Sequence, residues 1–368
     1  MELTTRCTRC SNLDAEGAGV CHVCGDVALR PLRDVVSTAA GTPLIRSRLA
    51  QDLWLKVEGA NPTGTFKDRV MAHLAGEAVD QGFPGAIVAS SGNAAVAASA
   101  ACLQRGLPLL VVVPATLDDA KLRPLRLRGT ALLRHGQDPS EAYALARFLA
   151  ERFGLKELAS TFHSSGTEYA CREIGREILA QLGQAPRAVA AAISVGPVLI
   201  GTGNGVVEAG GALPALLAGQ AAGCAPIAAA FASAAERVAP WTAPVETSAG
   251  SIADRLSGYA HEATFALEAI RSSGGSVNAW ADDDLHRYRE LLATTDGIDV
   301  ELASAAALGA ALDWRGSGPV VAVLTGAGWR DTLTGDRPLP NTDTEAFQLA
   351  AGIENLHEEV EQWTNSSS

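Results

Sequence analysis

An α/β fold with two sheet-based domains and a small N-terminal metal ribbon is predicted by three observations. Short apolar strands alternate with helical stretches after residue 30, small residues dominate the composition, and four of the seven cysteines fall within the first 24 positions. At 368 residues the chain exceeds the usual size of one domain. It is 47% hydrophobic but only 5% aromatic, with 37 Gly, which suits close packing of helices on a sheet. A formal net charge of -12 argues against a nucleic-acid partner. The first residues lack the basic segment and apolar run of a secretory signal, and no apolar stretch reaches the ~20 residues a membrane span needs. With Cys102, Cys171 and Cys224 scattered, a cytoplasmic protein with reduced thiols and no membrane partner is expected.

Taken in order, residues 1–30 form the ribbon. CTRC and CHVC place Cys7, Cys10, Cys21 and Cys24 as two CxxC knuckles, a donor set for tetrahedral Zn²⁺ whose binding would supply folding energy that so short a segment lacks. A degenerate or redox pair, or a ribbon that binds protein, is the alternative. GAIVAS at 85 to 90 reads as a strand, followed by an SGN turn and the helix AAVAASAACLQRG. LPLLVVVP at 107 to 114 and TALLRHG at 130 to 136 continue the strands, with helices between and behind them, as in βαβ units. A second series runs from AVAAAIS through LPALLAGQAAG to PVVAVLTGAG at 319 to 328. Past about residue 335 the chain becomes irregular, then ends in a charged amphipathic helix and a tail.

In LWLKVEGANPTGTFKDRVMAHLAGEA a turn ends just where a helix with apolar positions Val70, Met71, Leu74, Ala75 and Ala78 begins, so Lys67 stands at a helix start. Burial and the positive end of the helix dipole disfavour its charged form, and a neutral amine can form an imine with an aldehyde. As bare spacing this is weak, since most such lysines are surface residues. The string NPTGTFKDR, however, resembles the lysine motif of fold-type II pyridoxal 5′-phosphate (PLP) enzymes, in its threonine synthase version. The resemblance continues in order from residue 40 to 331.

It implies two three-layer α/β/α sheet domains: a larger PLP-binding domain from 31–70 and 176–345, and a smaller mobile domain at 71–175, with 346–368 as C-terminal helix and tail. It also implies a homodimer, a PLP Schiff base on Lys67 beside Phe66, and a substrate-carboxylate loop of Ser90, Ser91, Gly92, Asn93 and Ala94, with the Asn93 amide on the cofactor's phenolic oxygen. The phosphate loop is assigned to Ser194, Val195, Gly196, Pro197 and Val198 rather than to GTGNG at 201 to 205, although Pro197 has no N–H to donate. Thr325 of LTGAG is expected at the pyridine nitrogen, where a hydroxyl gives a restrained electron sink suited to elimination and replacement. Glu301 either lines the pocket or is a helix-start carboxylate.

The resemblance fails in two places. In STFHSSGTEYACREI the family's phosphate-binding arginine position falls on His163, which puts a phosphorylated substrate in doubt. SIADRLSGYAHEA also departs from its counterpart, leaving Arg255 either a displaced anion site or a surface partner of Asp254. The expected function is a threonine synthase-like lyase acting on a small amino acid. The alternatives are a β-eliminating or β-replacing relative of the serine/threonine dehydratase kind, and a non-catalytic pseudoenzyme.

Overall fold

The computed structural model describes residues 5–7, 13–14, 28–29, 41–117, 119–137, 139–159 and 161–332. Cys10, Cys21, Cys24, the side chain of Cys7 and the expected helix and tail at 346–368 lie outside the described residues. The architecture is that of the compact unit Met1–Thr334. At its start β1 (Thr5–Cys7) pairs antiparallel with β2 (Leu13–Asp14) and with β3 (Ala28–Leu29).

The main fold begins with an antiparallel pair, β4 (Leu44–Arg46) and β5 (Leu53–Val57), and passes into α1 (Lys67–Asp80). The apolar stripe Val70, Met71, Leu74, Ala75 and Ala78 is buried, as its helical spacing predicts. There follow β6 (Ala86–Ala89), α2 (Asn93–Arg105), β7 (Leu109–Val113), α3 (Asp119–Arg126), β8 (Ala131–Arg134), α4 (Pro139–Phe153) and β9 (Lys156–Glu157). The four strands form one parallel sheet in the order β8-β7-β6-β9.

The chain returns through α5 (Ser165–Leu182), β10 (Ala188–Ala192), α6 (Pro197–Glu208), β11 (Ala215–Ala221), α7 (Pro226–Ala232), α8 (Ala260–Ser272) and β12 (Ser276–Trp280). It closes with α9 (Asp282–Leu291), α10 (Ala305–Asp313), β13 (Val320–Leu324) and α11 (Trp329–Thr332). The larger sheet runs β12-β11-β10-β13-β5-β4, parallel except for β4. Its central strands AVAAA and VVAVL are buried at every position, because helices cover both faces.

Two features set the geometry of the site. Gly175 on α5 and Gly201 and Gly205 on α6 let these helices touch backbone to backbone, since a Cβ at Gly205 would lie 1.8 Å from the Arg172 carbonyl. The GTGNG string is thus part of a helix crossing. In addition, chain order reverses between β10 and β13 and between β6 and β9. Crevices beyond the carboxyl ends of strands at such reversals are where α/β sheets hold ligands. Among the described residues no helix is long and apolar enough to cross a membrane.

Candidate active site

Beyond β5 the chain makes a tight turn before α1. Gly64 adopts φ +89 there, and its N–H donates to the Asn61 carbonyl at 2.8 Å. The N–H and hydroxyl of Thr63 both donate to the Asp68 carboxylate at 2.7 Å, locking the turn against the helix. Behind it, Arg69 donates to Glu58 at 2.7 Å and to Glu177 at 2.6 Å, and the fully buried Lys56 donates to the same Glu177. The start of α1 is therefore pinned from both sides. Lys67 lies on the wall of a cavity of about 620 Å³, where burial pushes its pKa down to about 8 while Glu301 and Asp254 pull it the other way.

Asn93 opens α2 on the facing wall. Its amide donates to Glu301 Oε1 at 2.6 Å and its carbonyl accepts from Arg330 Nε at 2.9 Å, so the side chain has one orientation. Burial pushes the Glu301 carboxyl up to about 7, with the Asn93 hydrogen bond opposing and Asp331 adding to the shift. Gly92 leads into the helix with its N–H on Ser90 Oγ at 3.2 Å, and Ser90, Ser91, Gly92, Asn93 and Ala94 all line the cavity.

The loop from β10 to α6 contributes Ser194, Gly196, Pro197 and Val198 to the same cavity. Among the described residues the backbone N–H groups of Ser194, Val195, Gly196 and Val198 have no acceptor within the protein. Gly196 has φ +127, and a Cβ there would lie 2.6 Å from that of Ala266, so only glycine fits. The Val195 side chain points into the core at 1% exposure. Unlike its neighbours in the expected phosphate loop, Val195 is not among the residues that line the cavity.

Thr325, at the end of β13, is 7% exposed and lines the cavity. Its hydroxyl meets Ser304 Oγ at 2.9 Å, and Ser304 also accepts the Gly326 N–H at 2.9 Å. Phe66 N–H donates to the Thr325 carbonyl at 3.0 Å.

The cavity thus gathers Phe66, Lys67, the Ser90 to Ala94 turn, four residues of the loop after β10, Glu301 and Thr325. It does not include His163, whose Nε2 lies 3.5 Å from Glu157 and whose N–H donates to Glu262 at 3.2 Å. Arg255 is exposed and donates to the Trp241 carbonyl, whereas Asp254 lines the cavity with both carboxylate oxygens on the Tyr259 hydroxyl.

A family model described as "Pyridoxal-phosphate dependent enzyme" matches residues 36–326. The chain belongs to this family. A threonine synthase of Mycobacterium leprae is 31% identical over 334 residues, covering 86% of this chain and 89% of the relative. One from Methanosarcina acetivorans is 32% identical over 283 residues, covering 73% and 68%. Among solved structures, the processed form of threonine deaminase isoform 2 from Solanum lycopersicum superposes with a TM-score of 0.68 at 20% identity, covering 85% of this chain and 84% of that one. A fungal L-serine ammonia-lyase from Rhizomucor miehei gives 0.67 at 21%, covering 78% and 94%. At these identities the structures show the fold alone. Family and relatives together identify a PLP-dependent, threonine synthase-like lyase.

The residues present fit the family's cofactor. Unpaired N–H groups around Gly196 suit a phosphate, the Lys67 amine has a depressed pKa, and the anchored Thr325 hydroxyl can meet a ring nitrogen. Several residues of the site escape the sequence reading. Ser304 stands in the ELASA stretch that carries Glu301, and Arg330 lies two residues after LTGAG, so position beside a motif was their only signal. Thr247 to Ser251 and Asp254 come from the long connection between α7 and α8, whose length was itself a hint of function. Gln220, fully buried, accepts the Ile227 and Ala228 N–H groups and reaches the Ile193 and Ser194 carbonyls, supporting the loop after β10.

Proposed function

We propose that this PLP-dependent lyase converts O-phosphohomoserine and water into threonine and phosphate. The observation that carries the reading is the convergence of Lys67, the Ser90 to Ala94 turn, the loop around Gly196 and Thr325 on one cavity. The N–H groups around Gly196 would hold the cofactor phosphate, Thr325 would meet the ring nitrogen and Asn93 the phenolic oxygen. Bound there, PLP supplies an electron sink that acidifies the Cα–H of an attached amino acid.

The Ser90 to Ala94 turn takes the substrate α-carboxylate at the start of α2. Lys67 removes the Cα proton and then moves a proton at Cβ, which its depressed pKa favours. Phosphate leaves from Cγ, the two protons taken by Lys67 are returned to Cγ, which becomes the methyl group, and to Cα, and water adds its hydroxyl at Cβ while its proton goes to the departing phosphate. Atoms balance as one water consumed and one phosphate released. Glu301 and Arg330 hold Asn93 in place throughout. Phosphate release from O-phosphohomoserine, run beside ammonia release from serine and threonine, tests the assignment. Ammonia from the latter two with no phosphate from the first would move the enzyme to the β-eliminating class.

We further propose that Cys7, Cys10, Cys21 and Cys24 bind one structural Zn²⁺. The small antiparallel sheet β1 to β3 that runs among them supports this, and metal analysis finding no zinc in a fully reduced preparation would refute it. The division into a larger domain and a smaller mobile one is supported by the two separate sheets. A cytoplasmic homodimer completes the proposal, with the buried free thiols Cys102, Cys171 and Cys224 suited to a reducing compartment.

A further inference from the structure

Two basic side chains line the cavity among the described residues, Lys67 and Arg330. Lys67 is committed to the chemistry, which leaves Arg330. It comes from α11, just beyond Thr325, and only 8% of it is exposed. A guanidinium has five N–H donors. Arg330 uses Nε on Asn93 Oδ1 at 2.9 Å, while its two terminal nitrogens have no hydrogen-bond or ion-pair partner among the described residues. One face is covered by the Trp329 ring, 5.3 Å from Cζ.

These two nitrogens are not sealed from the cavity, so their donors are presented to whatever acceptor enters it. Burial pushes the Arg330 pKa down, opposed by the carboxylates of Glu301, Asp68 and Asp331 and joined by Arg128. Arg128 stands close because its Nη1 donates at 2.7 Å to the carbonyl of Pro124, another cavity residue. The substrate α-carboxylate already has the backbone donors of the Ser90 to Ala94 turn. A second anion would take the fork of Arg330.

We propose that Arg330 binds the anionic group at the far end of the substrate side chain and so makes the cavity selective for amino acids that carry one. This deepens the function proposed above and rests on it for the amino-acid backbone. The class is an amino acid with a terminal phosphate, which a guanidinium grips through two parallel hydrogen bonds.

The test is equilibrium binding to the PLP-loaded enzyme, followed by calorimetry, of two ligands of equal chain length. One is the phosphonate isostere of O-phosphohomoserine and the other is homoserine. They share the α-carboxylate and differ in the terminal anion, and neither needs to turn over. R330Q frees Asn93 and so weakens both ligands through the shared α-carboxylate turn, but it should weaken the phosphonate at least about tenfold more than it weakens homoserine. R330K, which keeps the charge and loses the fork, should fall between, and it replaces R330Q as the test if that variant does not fold. Equal losses for both ligands would assign Arg330 to the α-carboxylate or to structure, and unchanged phosphonate binding would remove it from the site. Either result overturns the proposal and leaves phosphate release by the wild type standing. Tight phosphonate binding without phosphate release would do the reverse.

Discussion

The N–H of Phe66 donates to the carbonyl of Thr325 at 3.0 Å, joining the residue before the lysine to the end of the central strand β13. Through this bond, and that of Ala327 N–H to the Gly64 carbonyl at 2.8 Å, the amine and the hydroxyl of the site belong to one rigid piece. The facing Asn93 turn belongs to the smaller sheet. Rigid positioning of the reacting group is where much of a catalyst's advantage originates.

Lys67→Ala should lower turnover by at least about a thousandfold, as removal of a covalent and proton-moving group does. Borohydride treatment followed by mass spectrometry should find cofactor fixed to the wild type and none fixed to the variant. Fixation at another lysine in the variant would reassign the site.

Loading of PLP into cofactor-free protein should accelerate with pH around a midpoint of about 8, because a lowered lysine pKa places the neutral amine within reach of mild alkalinity. Stopped-flow absorbance from pH 6.5 to 9.5 measures it. A rate still climbing steeply toward pH 10, as for an ordinary lysine, would contradict the burial of this amine.

Gly196→Ala should weaken PLP and destabilise the fold by about 1–3 kcal/mol, from the strained φ and the overlap with Ala266. Denaturant melts and PLP titration give the two numbers. Unchanged affinity would move the phosphate away from this loop.

Ser304→Ala leaves the buried Gly326 N–H without its acceptor and Thr325 without its anchor. A loss of about 1–3 kcal/mol is expected in urea unfolding. Turnover should fall more than PLP affinity does, since Thr325 is mis-aimed and the phosphate loop is untouched.

Glu262 is 2% exposed, and burial pushes its pKa up to about 7 against hydrogen bonds from Thr161, Phe162 and His163. Because its folded pKa lies above its unfolded value, the stabilisation it gives is complete at acidic pH and is lost as pH rises through about 7. Glu262→Gln should therefore gain in Tm relative to wild type between pH 5 and pH 8. A difference in Tm that stays flat across that range would show the carboxyl to be ordinarily ionised.

The sequence by itself determined the strands, the helix faces and the order of the motifs, since each is a local pattern. The short run AVAAA followed by a turn fits a strand buried on both faces, and Val70, Met71 and Leu74 suit one helix face. Resemblance then carried Lys67, the Asn93 turn, the loop at Gly196 and Thr325, which the structure brings to one cavity. Only the tertiary structure decided the rest, because it depends on which distant segments meet. GTGNG became a helix crossing once Gly205 touched Arg172, and His163 turned toward Glu157 and Glu262 instead of lining the cavity. Arg330 meets Asn93 across 237 positions of chain. No periodicity or spacing encodes such a contact, since closing a loop of that length leaves no local trace and costs little more than closing a shorter one.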